Sequence, residues 1–265
     1  MSKQTGLIKL DGKIGGVSFY RSDGKDLARL AKGPAKKKIL TDPAFVRTRE
    51  NNSEFGGSAT SAKAVRLAIA LALMGMSDRY MGSRLTKVFK EINVKGVGSR
   101  GQRPIALSGN RSMLENFEFN SKTHFSSVFD AAFSSAINTA RTQATVTIPN
   151  FLPSSFIQAP EGATHFQVIA AMGVVSDYSY NVTSRHYEPT DPTLNMLSAV
   201  AYGAITALNV TTAVNFSLVA ALSGTPTMTA TVSDVVCLGI QFFQQIGTNN
   251  YVLAQNNCMK IIKLY

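Results

Sequence analysis

The chain has 265 residues and is strongly basic, with 27 Lys and Arg against 16 Asp and Glu and a formal net charge of +11. This length allows one large or two modest domains with a sizeable core. The longest apolar run, residues 67–76, has ten residues, against the roughly 20 that a membrane-spanning helix needs. Residues 1–20 lack the continuous apolar core of a secretory signal, so we expect a cytoplasmic or virion location and no membrane span.

The positive charge is concentrated in the first part of the chain. Residues 1–103 contain 21 Lys and Arg and 8 Asp and Glu, whereas residues 104–265 contain 6 and 8. Such asymmetry indicates that the first part faces an anionic partner. Nucleic acid is the commonest partner of this kind, and an anionic membrane or an acidic protein face are alternatives. We predict two domains, a basic β-meander and helical segment over 1–103 and a β-rich sandwich-like domain over 104–265.

The opening residues predict a small β-meander. Residues 7–10 and 17–21 alternate apolar and polar side chains, and residues 27–29 suggest a third short strand. Turn signals lie between them at Asp11-Gly12 and at residues 22–25. Such a sheet is stable only if its apolar face is covered. The candidate residues for that face are Ile8, Leu10, Val17, Phe19 and Leu27.

A lysine cluster and three helices follow the meander. Lys32 and Lys36 to Lys38 surround Gly33-Pro34, which predicts either a solvated loop or a contact with a polyanion. Thr41 or Asp42 can cap a helix over 44–55, with Pro43 suited to its first turn, and residues 56–58 (Gly-Gly-Ser) end it. A second helix is predicted over 61–74, and its residues 67–73 are apolar all round and so expected to be buried. A third helix is predicted over 79–92, and one face of it is marked by a stripe of Met81, Leu85, Val88 and Ile92.

A basic, glycine-rich loop over residues 95–104 follows the last helix. Its glycines and arginines suit the close approach of a phosphate, but the spacing matches neither the P-loop nor the dinucleotide-binding fingerprint. A flexible linker between domains is an equally good interpretation.

From residue 105 onward many short, sparsely charged segments predict an antiparallel sandwich or barrel. The predicted strands lie at residues 115–120, 125–133, 144–148, 164–172, 200–207, 214–222, 228–232, 235–245 and 251–265. Residues 247–250 predict a hairpin turn, and residues 132–141 and 192–208 are also compatible with helices. The fold class is therefore α+β: a basic N-terminal β-meander plus helices, then an antiparallel β-sandwich-like domain.

No local signature of catalysis or metal binding is present. His124, His165 and His186 are isolated in sequence, so we expect no metal, no cofactor and no enzyme activity. Cys237 and Cys258 are expected to be reduced and buried, although a disulfide between C-terminal strands is compatible with their spacing.

The candidate nucleic-acid-binding residues are the Lys and Arg side chains of the basic segments. They are Arg21, Lys32, Lys36, Lys37, Lys38, Arg47, Arg49, Arg84, Lys87, Arg100 and Arg103. Tyr20, beside Arg21, either stacks on a base or fills the small core.

Several segments resemble a family of uncharacterised proteins that is widespread in Bacteroidota. The segments that carry the resemblance are residues 6–10, 12–21, 27–29, 41–51, 161–166 and 238–244. The resemblance implies a shared architecture and a bacterial or bacteriophage source. It implies no activity and no functional residues.

Two functional hypotheses follow from the charge and the fold class. The first is a structural protein that assembles with copies of itself, as a virion, phage-type coat or particle subunit does, with the basic part on nucleic acid. The second is a nucleic-acid-binding protein that forms no particle and uses the β-rich domain for oligomerisation or for a partner. Size in solution discriminates between them.

Overall fold

The computed structural model describes residues 2–30 and 33–265. The chain divides into two compact units, Met1–Arg49 and Glu50–Tyr265, called here the basic unit and the body. The α+β class with an N-terminal meander and antiparallel sheets is confirmed. The predicted boundary after residue 103 does not coincide with this division. The two domains predicted over 1–103 and 104–265 stay a prediction.

Helices and strands alternate in blocks along the chain. The helices are α1 (Lys36–Thr41), α2 (Val46–Ala68), α3 (Ala70–Leu73), α4 (Met81–Lys95), α5 (Phe125–Val128) and α6 (Pro153–Phe156), with short 3₁₀ turns at Pro43–Phe45 and Arg111–Met113. The strands are β1 (Ser2–Lys3), β2 (Gly12–Ile14), β3 (Val17–Ser22), β4 (Lys25–Leu30), β5 (Ser134–Ile137), β6 (Gln143–Phe151), β7 (His165–Ser176), β8 (Tyr178–Asn181), β9 (His186–Pro189), β10 (Ser198–Tyr202), β11 (Thr206–Ala207), β12 (Val214–Ala221), β13 (Val232–Ile246), β14 (Asn249–Val252) and β15 (Cys258–Leu264).

The basic unit contains a four-stranded antiparallel sheet in the order β1-β4-β3-β2. Its tight turns are Gly15-Gly16 and Asp23-Gly24, where all four residues have positive φ, as hairpin turns that match strand twist require. The strand predicted at residues 7–10 is wrong, because the Gln4 side chain takes over the backbone groups of Leu10. Gln4 Oε1 accepts from Leu10 N at 2.8 Å and Gln4 Nε2 donates to Leu10 O at 3.1 Å.

As a result, two members of the proposed apolar face are not covered. Ile8 is 80% exposed and Leu10 is 42% exposed, whereas Val17, Phe19 and Leu27 are half-buried.

Lys36, Lys37 and Lys38 of the lysine cluster are helical rather than in a loop. Lys36, Lys37 and Lys38 form the first turn of α1, because the interruption at Gly33-Pro34 lies before them and not within them. Asp42 then caps the next turn as predicted: its Oδ1 accepts from Ala44 N at 2.9 Å.

The glycine pair in α2 does not end the helix. Gly57 is buried, and a Cβ there would overlap the ring carbons of Tyr187 in β9, so this glycine lets the helix approach a ring closely. A Cβ at Gly56 would meet nothing within 4 Å. The helix continues to Ala68, so the predicted break at residues 56–58 is wrong.

The two glycines provide a matched pair of substitutions. Gly57→Ala is expected to destabilise the protein by about 1–3 kcal/mol, because the added methyl group overpacks the contact with Tyr187. Gly56→Ala is expected to stabilise it by about 0.5–1 kcal/mol, because alanine is the better helix former at an open position. Urea denaturation of both variants measures the two shifts, and equal shifts would contradict the packing role of Gly57.

Helices α2 to α4 cover one face of the body's large sheet. The predicted stripe of α4 is confirmed, since Met81, Leu85 and Ile92 are buried and Val88 packs partly buried against the same core. The expectation that residues 67–73 are buried all round is wrong. Ala68 and Ala72 face the sheet, but Leu67, Leu71 and Met74 are 48%, 67% and 72% exposed.

The large sheet has the order β10-β7-β13-β14, with β11 paired to β7 and β15 paired to β13. Its central strands β7 and β13 are buried on both faces. Gly173 allows α2 to approach closely, since a Cβ there would lie 2.7 Å from Ala68 Cβ. Gly239 does the same for the segment between α3 and α4, since a Cβ there would lie 2.9 Å from Met76 Sδ.

A smaller sheet, β12-β6-β5, packs on the other face of the large sheet and completes the sandwich-like core. The strands predicted at 144–148, 164–172, 214–222 and 235–245 are confirmed as β6, β7, β12 and β13. Residues 192–208 contain β10 and β11, and residues 132–141 contain β5, so neither is helical.

Three strand predictions are wrong. Residues 115–120 make only a bridge at Glu118, residues 125–133 contain α5, and of residues 228–232 only Val232 is in a strand. These segments are short and rich in Phe or Thr, which local propensity alone assigns to strands.

Candidate polyanion-binding and assembly surfaces

The basic unit carries twelve Lys and Arg against four Asp and Glu. Lys36, Lys37 and Lys38 are exposed in the first turn of α1, and none of them has an ion pair with any residue in 2–30 or 33–265. Adjacent like charges repel each other, so an anion at this turn would relieve that repulsion.

The other candidates in the basic unit differ in how far they are engaged. Arg21 is 74% exposed, and its Nε lies 3.9 Å from Asp26 Oδ1, which is a weak surface pair. Arg47 is exposed. Arg49 is used by the fold, because its Nη1 donates to Ile39 O at 2.8 Å and to Asp42 O at 2.9 Å. Lys32 lies outside the described residues.

The ring of Tyr20 is also partly engaged by another residue of the basic unit. The Arg29 guanidinium lies over its ring, with Cζ 5.4 Å from the ring centroid, which is a cation–π distance.

Arg103 and the glycine-rich loop are fixed by a buried carboxylate. Glu54 in α2 is 1% exposed. Its Oε1 accepts from Arg103 Nε at 2.7 Å and from Gly101 N at 2.9 Å, and its Oε2 accepts from Arg103 Nη2 at 2.7 Å and from Lys90 Nζ at 2.5 Å. The loop is therefore not a flexible linker: Glu54 ties it to α2 and α4.

The surroundings of Glu54 keep its carboxylate ionised. Burial would raise its pKa, but the hydrogen bonds from Arg103, Lys90 and the Gly101 N–H outweigh burial and lower the pKa to about 2. Because Nε and Nη2 of Arg103 both donate to the Glu54 carboxylate, the guanidinium has little hydrogen-bonding capacity left for a phosphate.

Arg84 has the same kind of internal role. Its Nη2 donates to Asp78 Oδ2 at 3.0 Å, and its Nη1 donates to Glu118 O at 2.6 Å. Asp78 also accepts from Ser121. Burial would raise the pKa of Asp78, but these hydrogen bonds and Arg84 lower it to about 2. Sequence could not reveal the full role, because the acceptor Glu118 O lies 34 residues further along the chain.

Lys87 and Arg100 remain at the surface of the body. Lys87 Nζ is 4.0 Å from Glu91 Oε1 with its side chain 78% exposed, and Arg100 Nε is 3.7 Å from Glu50 Oε2 with its side chain 56% exposed. Such exposed pairs contribute little, so both cations can meet an anion.

A second candidate surface of the body is a hairpin whose own residues carry no charge. The hairpin formed by the end of β13 and β14, residues 244–252, is exposed along its whole length and is called here the hairpin arm. Residues 241–257 contain no Lys, Arg, Asp, Glu or Pro. Ile246, Tyr251 and Val252 are 60%, 54% and 54% exposed. The predicted turn at 247–250 is confirmed, but sequence alone did not show that the hairpin is exposed.

The hairpin arm also offers an open edge. Among the described strands, β14 pairs only with β13. Natural sheet edges are protected by charges, prolines or bulges, and the arm contains no charge and no proline. It therefore has the chemistry of a strand that pairs with another chain.

The cysteines and histidines make no reactive cluster in the part of the chain that the structure describes. Cys237 and Cys258 are free and buried, and burial raises the pKa of both thiols, that of Cys258 to about 12. No group of three potential metal ligands is found among residues 2–30 and 33–265.

Comparisons with protein-family models, curated proteins and solved structures find no match. The resemblance to the Bacteroidota family therefore stays a prediction from the residues. No helix in the described ranges is both long and apolar enough to cross a lipid bilayer.

Proposed function

We propose that this protein is a structural subunit that assembles with copies of itself, as in a virion or phage-type coat, while its basic unit contacts nucleic acid. The observation that carries the proposal is the hairpin arm: an exposed, uncharged β-hairpin with an open edge and three exposed large apolar side chains. An unprotected edge is a template for pairing with another chain, and the arm carries no charge that would repel an identical arm, so a second copy of the chain is the occupant that we propose.

The basic unit supports the nucleic-acid part of the proposal. Its lysines at the start of α1 are exposed and unpaired within the described residues, and phosphate contacts of this kind give affinity without sequence preference. Arg49, Arg84 and Arg103 are left out of the proposed contact surface because carbonyl and carboxylate groups of the fold engage their donors.

Charge on the hairpin arm should abolish assembly. Ile246 and Tyr251 lie on the same face of the hairpin, since Ile246 pairs with Asn249 and Tyr251 lies two residues further along β14. In the double variant Ile246→Lys/Tyr251→Lys, lysines repel between copies and the wild-type assemblies should give way to monomers or small oligomers. Light scattering and negative-stain imaging measure the change.

The matched control places the same charge on other exposed apolar residues of the body. Val182→Lys/Leu71→Lys changes side chains that are 69% and 67% exposed and should assemble as the wild type does. Assembly of the arm variant would show that the arm is not the interface. If the wild-type protein remains a monomer or small oligomer, the proposal of a coat subunit is wrong. That result would favour the alternative, a nucleic-acid-binding protein that forms no particle.

A further inference from the structure

A groove of about 570 Å³ lies between α2 and α4 in the body. Phe55 lies toward the end where Lys90 Nζ meets Glu54 of α2, and Arg66 lies toward the other end, where its guanidinium packs beside Gly82. Ala59 and Thr86 also line the groove. This volume falls within the range of sites that hold small organic groups.

Arg66 is a groove-lining cation without a described acidic partner. Its Nε is buried and has no hydrogen-bond partner, and no described carboxylate lies within ion-pair distance of its guanidinium. Buried donors are nearly always satisfied in folded proteins, and a guanidinium binds phosphate or carboxylate oxygens best. An anion in the groove would therefore meet a guanidinium whose charge no described carboxylate neutralises.

The other charges of the groove leave a net positive balance. Lys90 is held by Glu54 Oε2 at 2.5 Å and by Asn93 Oδ1 at 3.0 Å. Glu91 is the groove's own carboxylate, but it lies 4.0 Å from Lys87 Nζ with both side chains exposed. Lys87 and Arg66 are thus the cations that remain for a ligand.

Phe55 adds a flat apolar surface to the same groove. Its side chain is 55% exposed, so the ring is accessible to a ligand in the groove. Exposed aromatic rings next to cations are the arrangement that binds single-stranded nucleic acid, with bases stacked on the rings and phosphates on the cations. In a duplex the bases are stacked on one another and cannot reach the ring.

We propose that the α2–α4 groove binds an unpaired segment of single-stranded nucleic acid, with one base stacked on Phe55 and phosphates of the same strand on Lys87 and Arg66. The proposal rests on the nucleic-acid contact proposed above and specifies its substrate as single-stranded. The basic unit then supplies sequence-independent attraction, and the groove distinguishes a single strand from a duplex.

The test uses a fluorescent reporter at the stacking position. The chain contains no tryptophan, so Phe55→Trp introduces a single one in the groove and Tyr202→Trp, at a side chain 54% exposed on the large sheet, introduces a control. The probes are oligodeoxythymidylate of about 20 nucleotides, a duplex of the same length, and inorganic polyphosphate, which has charge but no bases. Fluorescence anisotropy of labelled probes measures binding in parallel.

Stacking predicts that the oligonucleotide quenches the fluorescence of the Phe55→Trp variant but not that of the Tyr202→Trp variant. Polyphosphate and duplex should bind the Phe55→Trp variant without quenching it. Arg66→Gln should weaken single-strand binding about 5- to 50-fold and duplex binding much less.

Two negative results have different meanings. Oligonucleotide binding that leaves the fluorescence of the Phe55→Trp variant unchanged would overturn the groove and leave the nucleic-acid role intact. If none of the three probes binds, both the groove and the nucleic-acid role proposed for the basic unit are wrong.

Discussion

Replacing Glu54 by Gln is expected to destabilise the protein by about 3–5 kcal/mol at neutral pH. The carboxylate is 1% exposed and receives four hydrogen bonds from Arg103, Lys90 and Gly101. Glutamine leaves two cations without their counter-charge, one of them on the loop that follows α4. Urea denaturation at neutral pH measures the loss.

The same substitution should cost less as the solution becomes acidic. Glu54 has a folded-state pKa of about 2, below its ordinary 4.5, so its charge stabilises the fold above pH 4.5 and this contribution is lost as pH falls toward 2. The stability difference between wild type and Glu54→Gln should therefore shrink below about pH 4.

Glu91→Gln is the control for this experiment, since Glu91 is in an exposed pair at 4.0 Å. It should change stability by less than about 1 kcal/mol. A Glu54→Gln protein as stable as the control would contradict a structural role for the cluster and return Arg103 to the candidates for nucleic-acid binding.

Replacing Lys36, Lys37 and Lys38 together by Ala is expected to weaken nucleic-acid binding on the order of a hundredfold at low salt. Each phosphate contact contributes about 0.7–0.9 to the slope of log affinity against log salt, so the slope should fall by about 2–3 units. Alanine is a good helix former, so α1 should persist. Anisotropy titrations across a series of salt concentrations measure both quantities.

Two controls separate charge from fold. Lys36→Arg/Lys37→Arg/Lys38→Arg keeps the charge and should keep the slope, whereas Lys122→Ala/Arg185→Ala removes two exposed cations of the body and should leave it nearly unchanged. An unaltered slope in the alanine variant would exclude the cluster from the contact.

Periodicity predicted the elements whose burial follows a regular pattern. The alternation in β6 and β12 and the apolar runs of β7 and β13 were sufficient to place these strands, and the stripe of α4 was sufficient to place its buried face. Features that depend on distant residues were not predictable. Gly57 was interpreted as a helix end because the sequence does not show why a glycine is needed there. The residue that requires it is Tyr187, whose ring packs against Gly57 and which lies far along the chain.

The candidate surfaces were likewise predictable where they depend on local composition and not where they depend on distant residues. Charge composition identified the basic region, but it could not separate free cations from cations that hold the fold together. Arg103 looks like a phosphate ligand in a glycine-rich loop, yet its partner Glu54 is buried in α2. The groove was missed because Phe55 and Arg66 belong to a helix that the glycine pair was expected to interrupt.

The pairing of β7 with β13 also determines when the body can fold during synthesis. Met172 pairs with Val236, and the core that covers α2 to α4 includes Val235, Met259 and Ile261. The helices are therefore synthesised long before the strands that cover their apolar faces. Contacts between residues so far apart in sequence form slowly, and the uncovered faces are prone to aggregation in the meantime. The basic unit thus emerges from the ribosome before the strands that complete the body have been synthesised.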